Sequence, residues 1–161
     1  MQEIDPREFR LQAMNLLSRR EHLRQELQVK LLKRFGRESQ PAIESVLDEL
    51  EQDKLLSDER YVTSYVNSRS NRGYGPERIR QELRQRGVQA QLLETALAEA
   101  EVDWVLLAHR VRVKKFGVSS PSDFRERSRQ LRFLLYRGFG NEFASAALDE
   151  PESLLEDAES F

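Results

Sequence analysis

The sequence predicts an all-α fold, three tandem three-helix units forming an elongated, curved helical array, and three observations carry the prediction. Gly36, Gly87 and Gly138 stand 51 residues apart, each four residues after a leucine (Leu32, Leu83, Leu134). Beyond each glycine the register persists: Ala42, Leu93 and Ala144 correspond, and so do Val46, Leu97 and Leu148, small or apolar positions four apart as on one helix face. The sign of the charge alternates in phase with the same period. The units read as residues 1–56, 57–103 and 104–150, followed by an acidic tail, 151–161.

In the first unit, Phe9, Ala13, Leu16 and Leu17 form one buried face, Leu23, Leu27 and Leu31 the next, and Ile43, Val46, Leu47 and Leu50 the third. No glycine or proline separates Ala13 from Phe35, so the first two helices either run together or divide near His22. Leu23 stands where a polar cap is expected before the second helix.

The middle unit is the best punctuated. Ser57-Asp58 caps a helix through Tyr61 and Val66, and Asn71-Arg72-Gly73-Tyr74-Gly75 ends it. Pro76 suits a first helical position, where its missing donor is harmless. Ile79 and Leu83 form the buried stripe as far as Gly87, a left-handed stop. A third helix follows through Leu92, Leu93, Ala96, Leu97 and Ala100.

In the last unit, Trp104, Leu107, Ala108 and Val111 set a helical face. Arg110-Val111-Arg112-Val113-Lys114 alternates polar and apolar, a strand pattern on its own, which the repeat context overrides. Ser120-Pro121-Ser122-Asp123 offers a capping-box start to the helix carrying Phe124, Leu131 and Leu135. After Leu148 the pattern stops at Asp149-Glu150-Pro151, and the rest reads as a frayed or disordered acidic tail.

Composition narrows the function. A chain of 161 residues buries roughly two thirds of its unfolded surface, so it folds without staples. The absence of cysteine rules out disulfides, zinc thiolates and a cysteine nucleophile. No apolar run approaches the roughly 18 residues of a membrane span, and Met1 to Pro6 lacks a signal pattern, so a cytoplasmic location is expected. His22 and His109 are the two histidines, neither in a metal-ligand pattern, and both read as surface or cap residues. Gly73-Tyr74-Gly75 lacks the preceding strand of a nucleotide-binding loop and reads as a turn. The expectation is a non-catalytic binding protein with no cofactor, metal or small-molecule substrate.

Net charge is only −2, yet it is segregated. Residues 1–37 hold nine Lys and Arg against five Asp and Glu, residues 61–86 six against two, and residues 104–140 nine against two. The alternate segments reverse the sign: 38–60 hold two against eight, 87–103 none against four, and 141–161 none against seven. Stacked alike, such units gather a basic and an acidic stripe that steer and orient a partner. Arg78, Glu82 and Arg86 are spaced for intrahelical pairs, which leaves Arg80 and Arg84 as candidate partner contacts, although Glu77 is within reach of Arg80. Arg69 and Arg72, with Tyr65 one turn before Arg69 and Tyr74 just beyond, form a basic-aromatic group suited to phosphates, carboxylates or stacked bases. Arg110, Lys114, Lys115, Arg125, Arg129 and Arg132 make the densest basic set.

The run Gly73-Tyr74-Gly75-Pro76-Glu77-Arg78-Ile79-Arg80-Gln81-Glu82-Leu83-Arg84-Gln85-Arg86-Gly87-Val88 resembles the signature of the RecX family, with Arg60-Tyr61, Tyr65-Val66 and Arg69 before it. Ser18 to His22 with Glu26-Leu27 resembles the family's first unit, and Lys114-Lys115-Phe116-Gly117 with Arg137-Gly138-Phe139 its third. The resemblance implies a regulator acting in recombination, DNA repair and the SOS response. It implies a chain that lodges in the groove of the RecA filament on single-stranded DNA and lowers its ATP hydrolysis, strand exchange and LexA coprotease activities. Two other classes fit the residues alone: a helical protein that binds DNA directly, and a helical-repeat scaffold for another protein.

Overall fold

The computed structural model describes residues 3–149, and within them every regular element is helical. The acidic tail, 151–161, lies outside the described residues. The chain divides into two compact units, residues 1–64 and 65–161.

In the first unit, α1 (Pro6–Leu17) opens on Pro6, and the Asp5 carboxylate accepts the Arg7 N–H at 3.0 Å. The helix ends at Ser18, well short of α2 (Arg24–Phe35), so the two helices are separate. Leu23 at the head of α2 is buried and offers no cap. The expected polar group comes from 34 residues along the chain, where the Asp58 carboxylate accepts the Arg24 N–H at 2.9 Å. Gly36, at φ +95°, turns the chain through a short 3₁₀ turn, Arg37–Ser39, into α3 (Gln40–Gln52). Phe9, Ala13, Leu27 and Leu31 meet Ile43, Val46, Leu47 and Leu50 in one core. Each large side chain buried there contributes about 1.5–3 kcal/mol. Ser57 caps α4 (Asp58–Asn71) by accepting the Arg60 N–H at 3.2 Å.

The second unit continues with α5 (Pro76–Gln85) and α6 (Ala90–Glu99), on which Ile79, Leu83, Leu93 and Leu97 are buried. Gly87 between them and Gly138 farther on share the positive φ of Gly36, at +83° and +100°. The 51-residue period therefore marks a recurring left-handed backbone. Helix α7 (Trp104–Phe116) takes its N-cap from Asp103, which accepts the Leu106 N–H at 3.0 Å. The alternating Arg110–Lys114 segment lies within it. That alternation does not report an inside and an outside, because Arg112 is itself buried and donates to the Ser119 carbonyl at 3.2 Å and to Gln130 Oε1 at 3.3 Å. Helix α8 (Phe124–Tyr136) starts on Asp123, which accepts the Glu126 N–H at 2.8 Å, and α9 (Asn141–Asp149) follows.

The core of α7 to α9 is Ala108, Leu134, Phe139, Ala144 and Ala147, with Leu131 packed against it. Of the apolar residues that α8 carries, Leu134 is fully buried, whereas Leu135 is 37% and Phe124 84% exposed. As the first helical residue, Phe124 leans toward the N-terminus and away from the body of the helix. The histidines also differ from expectation, for both are buried. His22 is held between the Arg20 carbonyl at Nδ1 and Lys30 Nζ at Nε2, each 3.1 Å away, and His109 Nδ1 lies 3.1 Å from the Ala147 carbonyl. These partners replace water at both His22 nitrogens and at His109 Nδ1, whereas His109 Nε2 is buried with no hydrogen-bond partner among the described residues.

Candidate partner-binding surface

Tyr74, in the turn between α4 and α5, gathers three guanidinium groups around its ring: Arg69 at 3.8 Å, Arg137 at 4.3 Å and Arg78 at 4.6 Å from the centroid. Such contacts contribute roughly 0.5–2 kcal/mol each, according to how far they are desolvated. Glu82 is the acid among them. It binds Arg69 at 2.7 Å and Arg78 at 3.3 Å, and it accepts the Tyr65 hydroxyl. Burial, reinforced by that carboxylate, pushes the Tyr65 phenol up to about 12. Burial acts to raise Glu82, but the hydrogen bonds from Tyr65 and Arg69 hold it below the ordinary carboxylate value. Three cations around one acid leave the turn net positive.

The turn is fixed to the end of α8 through main chain. The Arg137 carbonyl accepts the Gly75 N–H at 2.9 Å, the Gly138 carbonyl accepts the Glu77 N–H at 2.9 Å, and Arg137 Nη2 donates to the Arg72 carbonyl at 2.9 Å. The approach is close enough that a Cβ on Gly75 would collide with the Gly138 carbonyl, and one on Gly138 with Arg78. Arg78 and Arg137 were not among the sequence candidates. Arg78 reads as a simple intrahelical partner of Glu82, and nothing local announces that Arg137 meets Tyr74, 63 residues earlier.

The other candidates separate into groups. Arg80 binds Glu77 and also Glu94 of α6, the latter at 2.6 Å, and its side chain is only 19% exposed. The Glu94 hydrogen bond raises the Arg80 pKa above its ordinary value, so this charge is answered inside the chain. Arg84 is exposed and makes no ion pair among the described residues. On the outer face of α8, Arg125, Arg129 and Arg132 are exposed. Arg129 pairs with Glu126 at 3.3 Å and lies 5.1 Å over the Phe116 ring. Tyr136, on the same stripe one turn past Arg132, is 75% exposed.

Arg72, Arg110, Lys114 and Lys115 come together. With Arg137 they line a cleft of about 630 Å³ between the end of α4, α7 and α8. Its apolar lining is Leu107, Val111 and Phe133, and no acidic residue is among its described lining. Lys115 sits 5.7 Å over the Phe133 ring, and Phe116 meets that ring edge-on at 5.3 Å. Five cations without an acid attract anions and leave them for a partner to neutralise. Among the described residues no three of His, Cys, Asp and Glu are grouped to hold a metal ion, and no helix is long and apolar enough to cross a membrane.

Residues 57–97 match the family model of the second three-helix domain of RecX, and residues 103–148 that of its third three-helix domain. The chain is 49% identical over 134 residues to the regulatory protein RecX of Pseudomonas putida, covering 83% of this chain and 85% of that one. To the regulatory protein RecX of Halorhodospira halophila it is 45% identical over 143 residues, covering 87% and 88%. Its fold is similar to the crystal structure of RecX from Lactobacillus salivarius, with a TM-score of 0.77 at 24% identity over 89% of this chain and 94% of that one.

Proposed function

Because the chain belongs to the RecX family, we propose that it is a negative modulator of the RecA recombinase. In this reading it binds the RecA filament on single-stranded DNA and lowers the filament's ATP hydrolysis, strand exchange and coprotease activity, with no chemistry of its own. The observation that carries the reading is the cleft: Arg72, Arg110, Lys114 and Lys115 are gathered in one place with no acid in its described lining. Such a site meets acidic protein surface or DNA phosphates, and its field speeds encounter with a polyanionic filament. Arg84 extends the basic surface, and the division into units 1–56, 57–103 and 104–150 supplies repeated contacts along a repeated polymer. The location is cytoplasmic, with the filament. Titrating the chain into RecA filaments while following ATP turnover tests the proposal. Inhibition at stoichiometric amounts is expected, and undiminished turnover overturns it.

A direct contact with single-stranded DNA is the second reading, favoured by the exposed Phe124 and Tyr136 that bracket Arg125, Arg129 and Arg132 on α8. Aromatic faces interleaved with cations form a stacking platform for unpaired bases. It predicts oligonucleotide binding without RecA, with a log-log salt slope near about −4 for roughly six phosphates.

A further inference from the structure

The cleft that gathers five cations has a definite build as well as a sign. Leu107, Arg110, Val111, Lys114 and Lys115 recur at helical spacing and make one face of α7, about 12 Å long. The end of α4 comes against that face at Gly73, whose φ is +84° and where an added Cβ would lie 2.9 Å from Val111 Cγ2 and 2.9 Å from Arg137 Nη2. Arg137 is held in place from within the chain: its guanidinium lies 4.3 Å from the Tyr74 ring centroid, and its Nη2 donates to the Arg72 carbonyl at 2.9 Å. Arg72, Arg110, Lys114 and Lys115 are exposed, with no acid in the described lining to answer them.

Three kinds of anion carry enough charge to enter, and spacing separates them. An extended acidic peptide rises about 3.3 Å per residue with its side chains alternating, so carboxylates facing the cleft stand about 7 Å apart and only about two meet the face of α7. Single-stranded nucleic acid is gripped through bases stacked on open rings. The one ring here, Phe133, already has Lys115 over it at 5.7 Å and Phe116 at its edge at 5.3 Å. In an oligophosphate, successive phosphoryl groups share a bridging oxygen, so the charges are contiguous. Inorganic tripolyphosphate carries roughly four to five of them at neutral pH, about one on the inner group and up to two on each end. Arginine forks take phosphate oxygens in pairs, and lysines meet them as point charges. The cleft's volume of about 630 Å³ lies within the range of small-molecule sites.

We propose that the cleft is a binding site for a compact oligophosphate, an anion of three or more contiguous phosphoryl groups, held by Arg72, Arg110, Lys114, Lys115 and Arg137. Free inorganic polyphosphate and the triphosphate of a nucleotide share this chemistry. An occupied cleft has its charge answered and has none left for an acidic partner. That consequence alone rests on the RecA reading given above; the binding does not, and its test contains no recombinase, so the two can fail separately.

The test titrates sodium tripolyphosphate into the full chain by isothermal calorimetry, in magnesium-free buffer at roughly 0.1 M salt, where charges more than about 10 Å away are largely screened. Saturable binding of one tripolyphosphate per chain is expected. Arg110→Glu with Lys114→Glu is expected to weaken it at least tenfold, with an unchanged helical circular-dichroism signal as the control for folding. Arg110→Gln with Lys114→Gln, which removes the charges without reversing them, is the second variant, and a loss of at least threefold is expected. Lys33→Glu with Arg37→Glu reverses as many exposed charges outside the cleft and is expected to change the affinity less than twofold. ATP separates the sources: affinity equal to that of tripolyphosphate assigns the site to a nucleotide's triphosphate, and a tenfold weaker one to free polyphosphate. The absence of saturable binding overturns the proposal, and so does equal weakening by the two reversals, inside the cleft and outside it. If an oligothymidylate or an oligoglutamate binds at the cleft more tightly than tripolyphosphate does, the cleft belongs to nucleic acid or to acidic protein, and the proposal falls in the same way.

Discussion

Helices α5 and α7 are both rich in cations and, Arg84 and the buried Arg112 apart, dispose of them in opposite ways. On α5, Arg78 is bound by Glu82, and Arg80 by Glu77 and by Glu94 of the following helix. On α7, Arg110, Lys114 and Lys115 have no acid within ion-pairing distance among the described residues and open into a common cleft. The difference teaches that density of charge does not identify an interface. An answered cation is part of the scaffold, and exposing it costs stability. An unanswered one leaves its field for something outside the described fold.

Breaking an answered set has the largest expected effect. Glu82→Gln removes the one carboxylate that binds Arg69, Arg78 and Tyr65 in a mostly buried corner. A loss of about 2–3 kcal/mol is expected from stranding those partners, read as a lower urea midpoint. Next comes the cleft. Arg110→Glu with Lys114→Glu is expected to leave the unfolding free energy, read from urea denaturation, within about 0.5 kcal/mol of the parent and to weaken RecA inhibition at least tenfold. Arg80→Glu gives the converse, a loss of stability from losing both ion pairs and little specific change in inhibition once folded protein is compared. Equal effects of the two substitutions on inhibition would erase the distinction drawn between α5 and α7.

The smallest effect sharpens the comparison with a third kind of answer, in which a cation is met by a neutral base. Lys30 Nζ lies 3.1 Å from His22 Nε2, with Glu26 at 3.9 Å and the Arg20 carbonyl on the other ring nitrogen. Burial holds the imidazole below its ordinary value of 6.5 against the pull of that carbonyl, with the nearby Arg20 charge acting in the same direction as burial. The unfolded chain therefore binds a proton first as pH falls, so this contribution is complete above 6.5 and is lost as pH drops through 6.5 toward the lower folded value. Glu26 is also lowered: burial opposes ionisation, but the Arg20 hydrogen bond outweighs it, so its share is lost only below about 4.5. Urea midpoints between pH 7.5 and 5.5 are expected to decline in the parent and to flatten in His22→Gln, which keeps a hydrogen-bonding side chain and cannot titrate.

Much of the fold is legible in the sequence because local chemistry wrote it there. Asp123 with Glu126, Ser57 before Asp58, and Pro76 at the head of α5 are capping signals that act within a few residues, and each operates as its residue type requires. The Leu27, Leu31, Ile43 and Leu47 faces follow from helical spacing alone. What escaped depends on residues distant in sequence. The cap of α2 comes from Asp58, Arg80 is answered by Glu94, and Arg137 reaches Tyr74 from the far end of α8. Burial of His22 and His109 likewise rests on partners 8 and 38 residues away. Of the candidate surface, Arg72, Arg110, Lys114 and Lys115 were legible as cations, but their meeting in one cleft was not, because it requires the C-terminal end of α4 to come up against α7.

The joint between Gly75 and Gly138 is written largely in main-chain atoms, with one further bond from the Arg137 guanidinium to the Arg72 carbonyl. Substitution at Tyr74 removes the ring on which the cations gather without touching the two main-chain bonds that join the start of α5 to the end of α8. A frame of this kind lets recognition be rewritten while the architecture stays fixed, so long as the two glycines remain.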